Sequence, residues 1–137
     1  MREGEFLAEL ARRSGCGLLL DINNVAVSAA NLGEAPVARL HRMLDDLPAV
    51  AIGEIHLAGH AVRELEDGAR VHIDDHGSPV SDEVWGLYAD TIRCIGARPT
   101  LIEWDTAIPA FARLADEIAT ADAVMANACE VRHAVAV

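Results

Sequence analysis

The chain contains no lysine. All eleven basic residues are arginine, against twenty-two acidic ones, for a net charge of −11. A duplex-binding surface needs a basic stripe to neutralise phosphates, and no such stripe is visible, so nucleic acid is not expected as a partner. A membrane-surface role is disfavoured on the same ground. Aromatic residues make up only 4% of the chain, so Ala, Val, Leu and Ile must fill the core. There are only three cysteines (Cys16, Cys94 and Cys129) and no CxxC pair. An odd count without that spacing argues against a disulfide framework and fits reduced thiols in the cytoplasm better. The cysteines are expected as packing residues, since none follows a strand end. No apolar run approaches transmembrane length. The charged, amphipathic start, residues 1–15, lacks the apolar core and cleavage site of a secretory signal. There is no internal repeat and no low-complexity segment.

What is present is a chain of 137 residues that is 52% hydrophobic, which suits one domain with a sizeable core. Its organising stretch is residues 50–77, which hold four of the six histidines. Val50 to Leu57 reads as a buried strand, and Arg70 to Asp74 as a second that runs into Asp75, His76 and Gly77. Strand side chains alternate faces. Glu54 and His56 therefore share one face, with Ile55 and Leu57 on the other. If the second run stays extended, His72, Asp74 and His76 share a face as well. Imidazole and carboxylate are ligands for iron, zinc or manganese.

Taken in order, residues 3–14 read as a helix stopped by Gly15, and Gly17 to Asp21 as a short strand ending in a carboxylate. Residues 22–34, with three asparagines and a glycine, read as a long loop. Residues 36–47 are helical, with Val37, Leu40, Met43, Leu44 and Leu47 at helical spacing. The two strands of the organising stretch follow, joined by a polar loop. Ser81 is an N-cap for a helix to Ile95, whose inner stripe is Val84, Tyr88, Thr91, Ile92 and Ile95. Pro99 to Trp104 is the fourth strand. Pro109 opens a last helix to about Ala126, and residues 127–137 are expected to fray. Alternating helices and continuous apolar strands imply an α/β fold with a parallel sheet covered by helices.

All four strands carry acid or imidazole at or near their C-terminal ends: Asp21, His56, Asp74 with His76, and Glu103. Parallel α/β folds build their sites at that edge, so these five residues are expected to converge on one metal site. Each also has a plainer reading. Asp21 and Glu103 could cap the helices that follow them, His56 could be a hydrogen-bonded core histidine, and residues 74–77 could be a solvated turn. His60 is either a residue that supports the ligands or one that faces substrate, and Glu54 and His72 lie deeper along their strands. His41 and His133 are expected at the surface.

Four separated motifs carry a resemblance. Residues 15–25 (Gly15-Cys16-Gly17-Leu18-Leu19-Leu20-Asp21-Ile22-Asn23-Asn24-Val25), 53–60 (Gly53-Glu54-Ile55-His56-Leu57-Ala58-Gly59-His60), 74–80 (Asp74-Asp75-His76-Gly77-Ser78-Pro79-Val80) and 101–105 (Leu101-Ile102-Glu103-Trp104-Asp105) resemble, in order, the multinuclear non-haem iron-dependent oxidases. The resemblance covers residues 1–126. It implies a TIM barrel of the xylose-isomerase-like type, related to endonuclease IV, with two or three iron ions at the barrel mouth. It also implies oxidation by dioxygen of cysteines in ribosomally made precursor peptides, often with a separate protein that captures the peptide. Carried over, Asp21, His56, Asp74, His76 and Glu103 would be metal ligands. Asn24, Glu54, His60, His72 and Asp105 would be further ligands or residues supporting them.

A TIM barrel takes roughly 250 residues and eight strands, whereas four strands are read here. The resemblance is therefore to the C-terminal half of the barrel, four parallel strands with covering helices, with the N-terminal half absent. Such a half is expected to pair with a second copy or with an N-terminal half. Two rivals stand beside the oxidase: a metal-dependent hydrolase of the endonuclease IV type, and a non-catalytic remnant or subunit that depends on a partner.

Overall fold

The structure, a computed structural model, describes residues 1–135, without the side chains of His133 and Val135. Its elements are α1 (Glu3–Ser14), β1 (Leu18–Asp21), α2 (Ile22–Leu32), α3 (Pro36–Asp46), a single 3-10 turn (Ala49–Ala51), β2 (Ile52–Leu57), β3 (Ala61–Glu64), β4 (Arg70–Ile73), α4 (Asp82–Ile95), β5 (Thr100–Ile102) and α5 (Phe111–Val135). Strands β1, β2 and β5 form a parallel sheet in that order, and β3 and β4 form a separate antiparallel pair.

The mixed α/β class with a parallel sheet is as expected, but the sheet has three strands rather than four. Arg70–Ile73 does not join it. It turns back on Ala61–Glu64, in the segment read as a polar loop. Asp67 and Gly68 supply the reversal: Gly68 has φ of +80°, its N–H donates to the Leu65 carbonyl, and the Asp67 carboxylate accepts from the Ala69 N–H. A Gly in the left-handed region and an Asp that bonds its own turn are what a tight reversal requires. Three parallel strands in chain order, with helices between them, fit part of a TIM barrel; the described residues do not close one.

The other corrections are local. Residues 22–32 are helical rather than a loop. Asp21 is the N-cap, its side chain accepting from the Asn24 N–H, and Ile22, Val25, Ala26 and Ala29 form a buried stripe. That stripe outweighs the weak helix propensity of asparagine. The last helix starts at Phe111, two residues beyond Pro109, and continues to Val135, past Ala126. Ala121 and Ala128 lie buried along it, and Arg113 pairs with the buried Glu117 at 2.6 Å. Residues 136–137 of the expected tail, and the His133 side chain, lie outside what is described; His41 is exposed, as expected. Cys16 and Cys94 are exposed rather than packed, while Cys129 lies against the core.

Among the described residues, helices cover one face of the sheet and leave the other open. Leu20, Ile52, Ile55 and Leu57 are buried on the covered face against α2, α3 and α4, whose inner residues include Leu40, Met43, Val84, Tyr88 and Ile92. Tyr88 is fully buried and its hydroxyl meets Thr100 Oγ1 at 3.0 Å, tying α4 to β5. The other face carries Leu19, 51% exposed, and Leu101, 43% exposed.

The hairpin leaves the end of β2 through Gly59, and the approach is close. A Cβ at Gly59 would run into the backbone carbonyls of Ser78 and Pro79. Backbone cannot turn aside as a side chain can, so Gly59→Ala is expected to cost about 3 kcal/mol, at the upper end of overpacking penalties. Urea denaturation checks this through the midpoint; an unchanged midpoint would contradict the packing described.

Candidate metal centre

Strand register decides which side chains meet. Asp21 is level with His56, and His56 with Leu101. Glu103 follows two residues later, its N–H donating to the Leu57 carbonyl at 2.9 Å. With alternation along each strand, Asp21, His56 and Glu103 leave the sheet on its open face, at its C-terminal edge. Asp74 and His76 arrive from the loop after β4. The extended run stops at Ile73, so His72, Asp74 and His76 do not share a strand face. His76 instead has φ of +46°, uncommon for a residue with a Cβ. Its carbonyl accepts from the Asp105 N–H at 2.9 Å, which holds it there beside β5. Such a conformation costs of order 1–3 kcal/mol and persists where surrounding structure enforces it, often at functional sites.

The five expected residues form one connected cluster. His76 Nε2 lies 2.9 Å from Asp74 Oδ1 and 3.7 Å from Asp21 Oδ2. His76 Nδ1 lies 3.1 Å from Glu103 Oε2 and 3.4 Å from Asp105 Oδ2. His56 Nδ1 meets the same Glu103 oxygen at 3.0 Å, and its Nε2 is 3.7 Å from Glu54 Oε1. Asp21, His76 and Glu103 each offer a ligand atom within 4.8 Å of the other two.

These residues fit a metal ion. Carboxylate and imidazole together suit iron, zinc or manganese. His76 Nδ1 is buried and makes no hydrogen bond, its close approach to Glu103 being out of line for one. The carboxylates also crowd one another. Burial, then Asp74 and Glu103, push Asp21 above its ordinary pKa, against the Asn24 N–H and His76, which pull it down. For His76, burial lowers the pKa, but the carboxylates of Asp74, Asp21 and Glu103 outweigh it and the net shift is upward. The rise at His76, and the smaller share of the Asp21 rise that comes from Asp74 and Glu103, express an excess of negative charge that a bound cation would offset.

Residues 1–126 match the family described as the RiPP precursor modification enzymes MbnB/TglH/ChrH. The chain belongs to this family. Among similar proteins, the "UPF0276 protein" of Caulobacter vibrioides is 55% identical over 131 residues, 96% of this chain and 45% of the relative. The "UPF0276 protein" of Chromobacterium violaceum is 52% identical over 130 residues, 95% of this chain and 44% of the relative. The Rhizobium meliloti "UPF0276 protein RB0508" is 46% identical over 125 residues, 91% of this chain and 39% of the relative. The chain thus spans less than half the length of these relatives. The family agrees with the resemblance carried by the four motifs. No helix among the described residues is long and apolar enough to cross a membrane.

The residues expected around the ligands divide by placement in this family member. Asn24 Nδ2 donates to Asp74 Oδ2 at 3.0 Å while its backbone N–H donates to Asp21 Oδ1 at 2.8 Å. Glu54 and Asp105 lie at the rim, beside His56 and His76. His60 and His72 lie behind Asp74 and contact each other, Nε2 to Nδ1 at 3.0 Å. Burial, then His72, holds the His60 pKa below the usual imidazole value. Asn23 was not anticipated. It is fully buried, and its amide donates to Asp74 Oδ1. The signal for it was the cap at Asp21. Once α2 starts there, Asn23 is fixed in the first helical turn beside the candidate ligands.

Proposed function

We propose that this chain forms part of an iron-dependent oxidase that modifies cysteine residues of a ribosomally synthesised precursor peptide. The supporting observation is the convergence of Asp21, His76 and Glu103 on one open sheet edge in a chain of this family. In this reading Asp21, His56, Asp74, His76 and Glu103 hold the metal, and the complete enzyme carries two or three iron ions. Bound iron would supply activation of dioxygen, which takes electrons from the peptide cysteine.

The chain's own part is orientation. The Asp21 carboxylate caps α2 through Oδ1, which leaves Oδ2 turned toward His76. Glu103 Oε2 meets His56 Nδ1 at 3.0 Å and so orients that ring, while the same oxygen lies 3.1 Å from His76 Nδ1. The remaining barrel segments would form the opposite wall, and a separate protein would deliver the peptide in the cytoplasm.

The test loads the protein with ferrous iron under nitrogen and measures metal content. Oxygen uptake is then followed on adding a cysteine-containing peptide, in the presence of the segments that complete the barrel. Stoichiometric iron and uptake that requires the peptide cysteine are expected. Stoichiometric zinc, with hydrolysis of phosphodiesters surviving iron removal, would overturn the oxidase in favour of the hydrolase.

A further inference from the structure

Asp74 is held from behind by a row of polar side chains that the metal cluster does not contain. Asn23 Nδ2 donates to Asp74 Oδ1 and lies 3.4 Å from the Gly59 carbonyl. Asn23 Oδ1 is 2.9 Å from His60 Nδ1, and His60 Nε2 is 3.0 Å from His72 Nδ1. The His72 backbone is fixed on both sides by Asn31, which donates to its carbonyl and accepts from its N–H, each at 2.9 Å. The row therefore runs from the site to a braced strand of the hairpin.

Its polarity is determined at every step. An ionised carboxylate only accepts, and an amide donates only through nitrogen. Asn23 must therefore turn Nδ2 toward Asp74 and Oδ1 toward His60. His60 Nδ1 must then carry a proton. In a neutral ring Nε2 is bare, so His72 Nδ1 must carry a proton in turn. Reversing the Asn23 amide would set its oxygen against the Asp74 carboxylate and leave a fully buried amide mispaired, at the cost of an unmet buried hydrogen bond.

We propose that Asn23, His60 and His72 are positioning residues that set the orientation of the Asp74 carboxylate and, through it, of His76. The consequence for metal affinity rests on the metal reading above; the effect on His76 does not. Asp74 Oδ1 takes both the Asn23 amide and His76 Nε2. Releasing Asn23 leaves the carboxylate held by Asn24 on Oδ2 alone, so Oδ1 can shift and the His76 ring has a less fixed partner. Groups that orient a metal-binding histidine typically change metal affinity by 10–100-fold when removed.

The test compares wild type with His60→Ala, His60→Gln and Asn23→Asp. In the metal-free chain, nitrogen-15 NMR of the imidazoles is expected to show His60 protonated at Nδ1 and bare at Nε2. His60→Ala should shift the His76 ring nitrogens, and His60→Gln, which can still donate to Asn23 Oδ1, should restore them in part. Cobalt(II) titration should then show affinity falling roughly tenfold in His60→Ala and further in Asn23→Asp, within the range for such groups. A His60 ring protonated at Nε2 and bare at Nδ1, or His76 resonances unmoved by His60→Ala in a folded chain, would overturn the proposal. Failure of wild type to bind cobalt, with the His76 shifts as expected, would instead defeat the metal reading and leave the positioning role standing.

Discussion

Adding zinc or cobalt to the metal-free chain is expected to raise its melting temperature by about 10–20 °C once free metal exceeds its dissociation constant a thousandfold. That concentration corresponds to ~4 kcal/mol of added stability, and a chain of this size gains a few degrees per kcal/mol. The cause is electrostatic: Asp21, Asp74, Glu103 and Asp105 surround His76, and among the described residues no arginine pairs with them. The effect should depend on pH with a defined sign. His76 has a raised folded pKa, so the stability it contributes is fully present below its ordinary value of 6.5 and lost as pH rises through the folded value. Asp21 has the same sign in a more acidic window, losing stability as pH rises from its ordinary value of 3.8 through its raised folded value, so the change near neutrality is carried by His76. The metal-free chain should therefore weaken as pH rises from 6 to 8, where metal competes with fewer protons and its stabilisation grows. His76→Ala and Glu103→Gln should abolish most of the shift. Differential scanning fluorimetry decides this: equal melting with and without metal, or a full shift in His76→Ala, would count against the site.

The site was easier to read in the sequence than the sheet. Each ligand candidate stands at a strand end, where hydrophobic alternation gives way to acid or imidazole, and the β1–β2–β5 register brings Asp21, His56 and Glu103 to one edge. Asp74 and His76 reach that edge by another route. Periodicity over residues 70–74 identifies an extended run but not its partner. Pairing is set by the turn at Asp67 and Gly68, which folds it onto β3. The final approach of His76 depends on a left-handed backbone that no spacing rule encodes. Asp21 shows that two readings of one residue need not compete, because one of its oxygens caps α2 while the other faces His76. In residues 22–32 the asparagines suggest loop, while the spacing of Ile22, Val25, Ala26 and Ala29 suggests helix. Burial of that stripe decides the outcome, together with Asn23, whose amide is satisfied by Asp74 and His60 rather than by water.

The isolated chain is expected to self-associate through its open sheet face. Leu19 and Leu101 are about half exposed on that face. Strict alternation from Glu54 and His56 would put Ile52 beside them, but it is buried under the helices, because the register shifts between Leu18 and Leu19. Fully burying a leucine stabilises by about 1.5–3 kcal/mol, so each half-exposed one has roughly 1 kcal/mol still to gain. Among the described residues no strand pairs with the outer edge of β1 or of β5, and such edges recruit other chains. The opposing term is charge, since each copy carries −11 and Glu54 stands on the same face. Salt shortens the range of that repulsion from about 10 Å at 0.1 M to about 3 Å at 1 M. Association should therefore strengthen with salt, the opposite of an interface made by ion pairs. The paired substitution Leu19→Arg with Leu101→Arg should return the chain toward monomer. Sedimentation equilibrium across a salt series reads this directly. A single species at the 14.6 kDa chain mass, at every concentration and salt tested, would show that the face needs no cover.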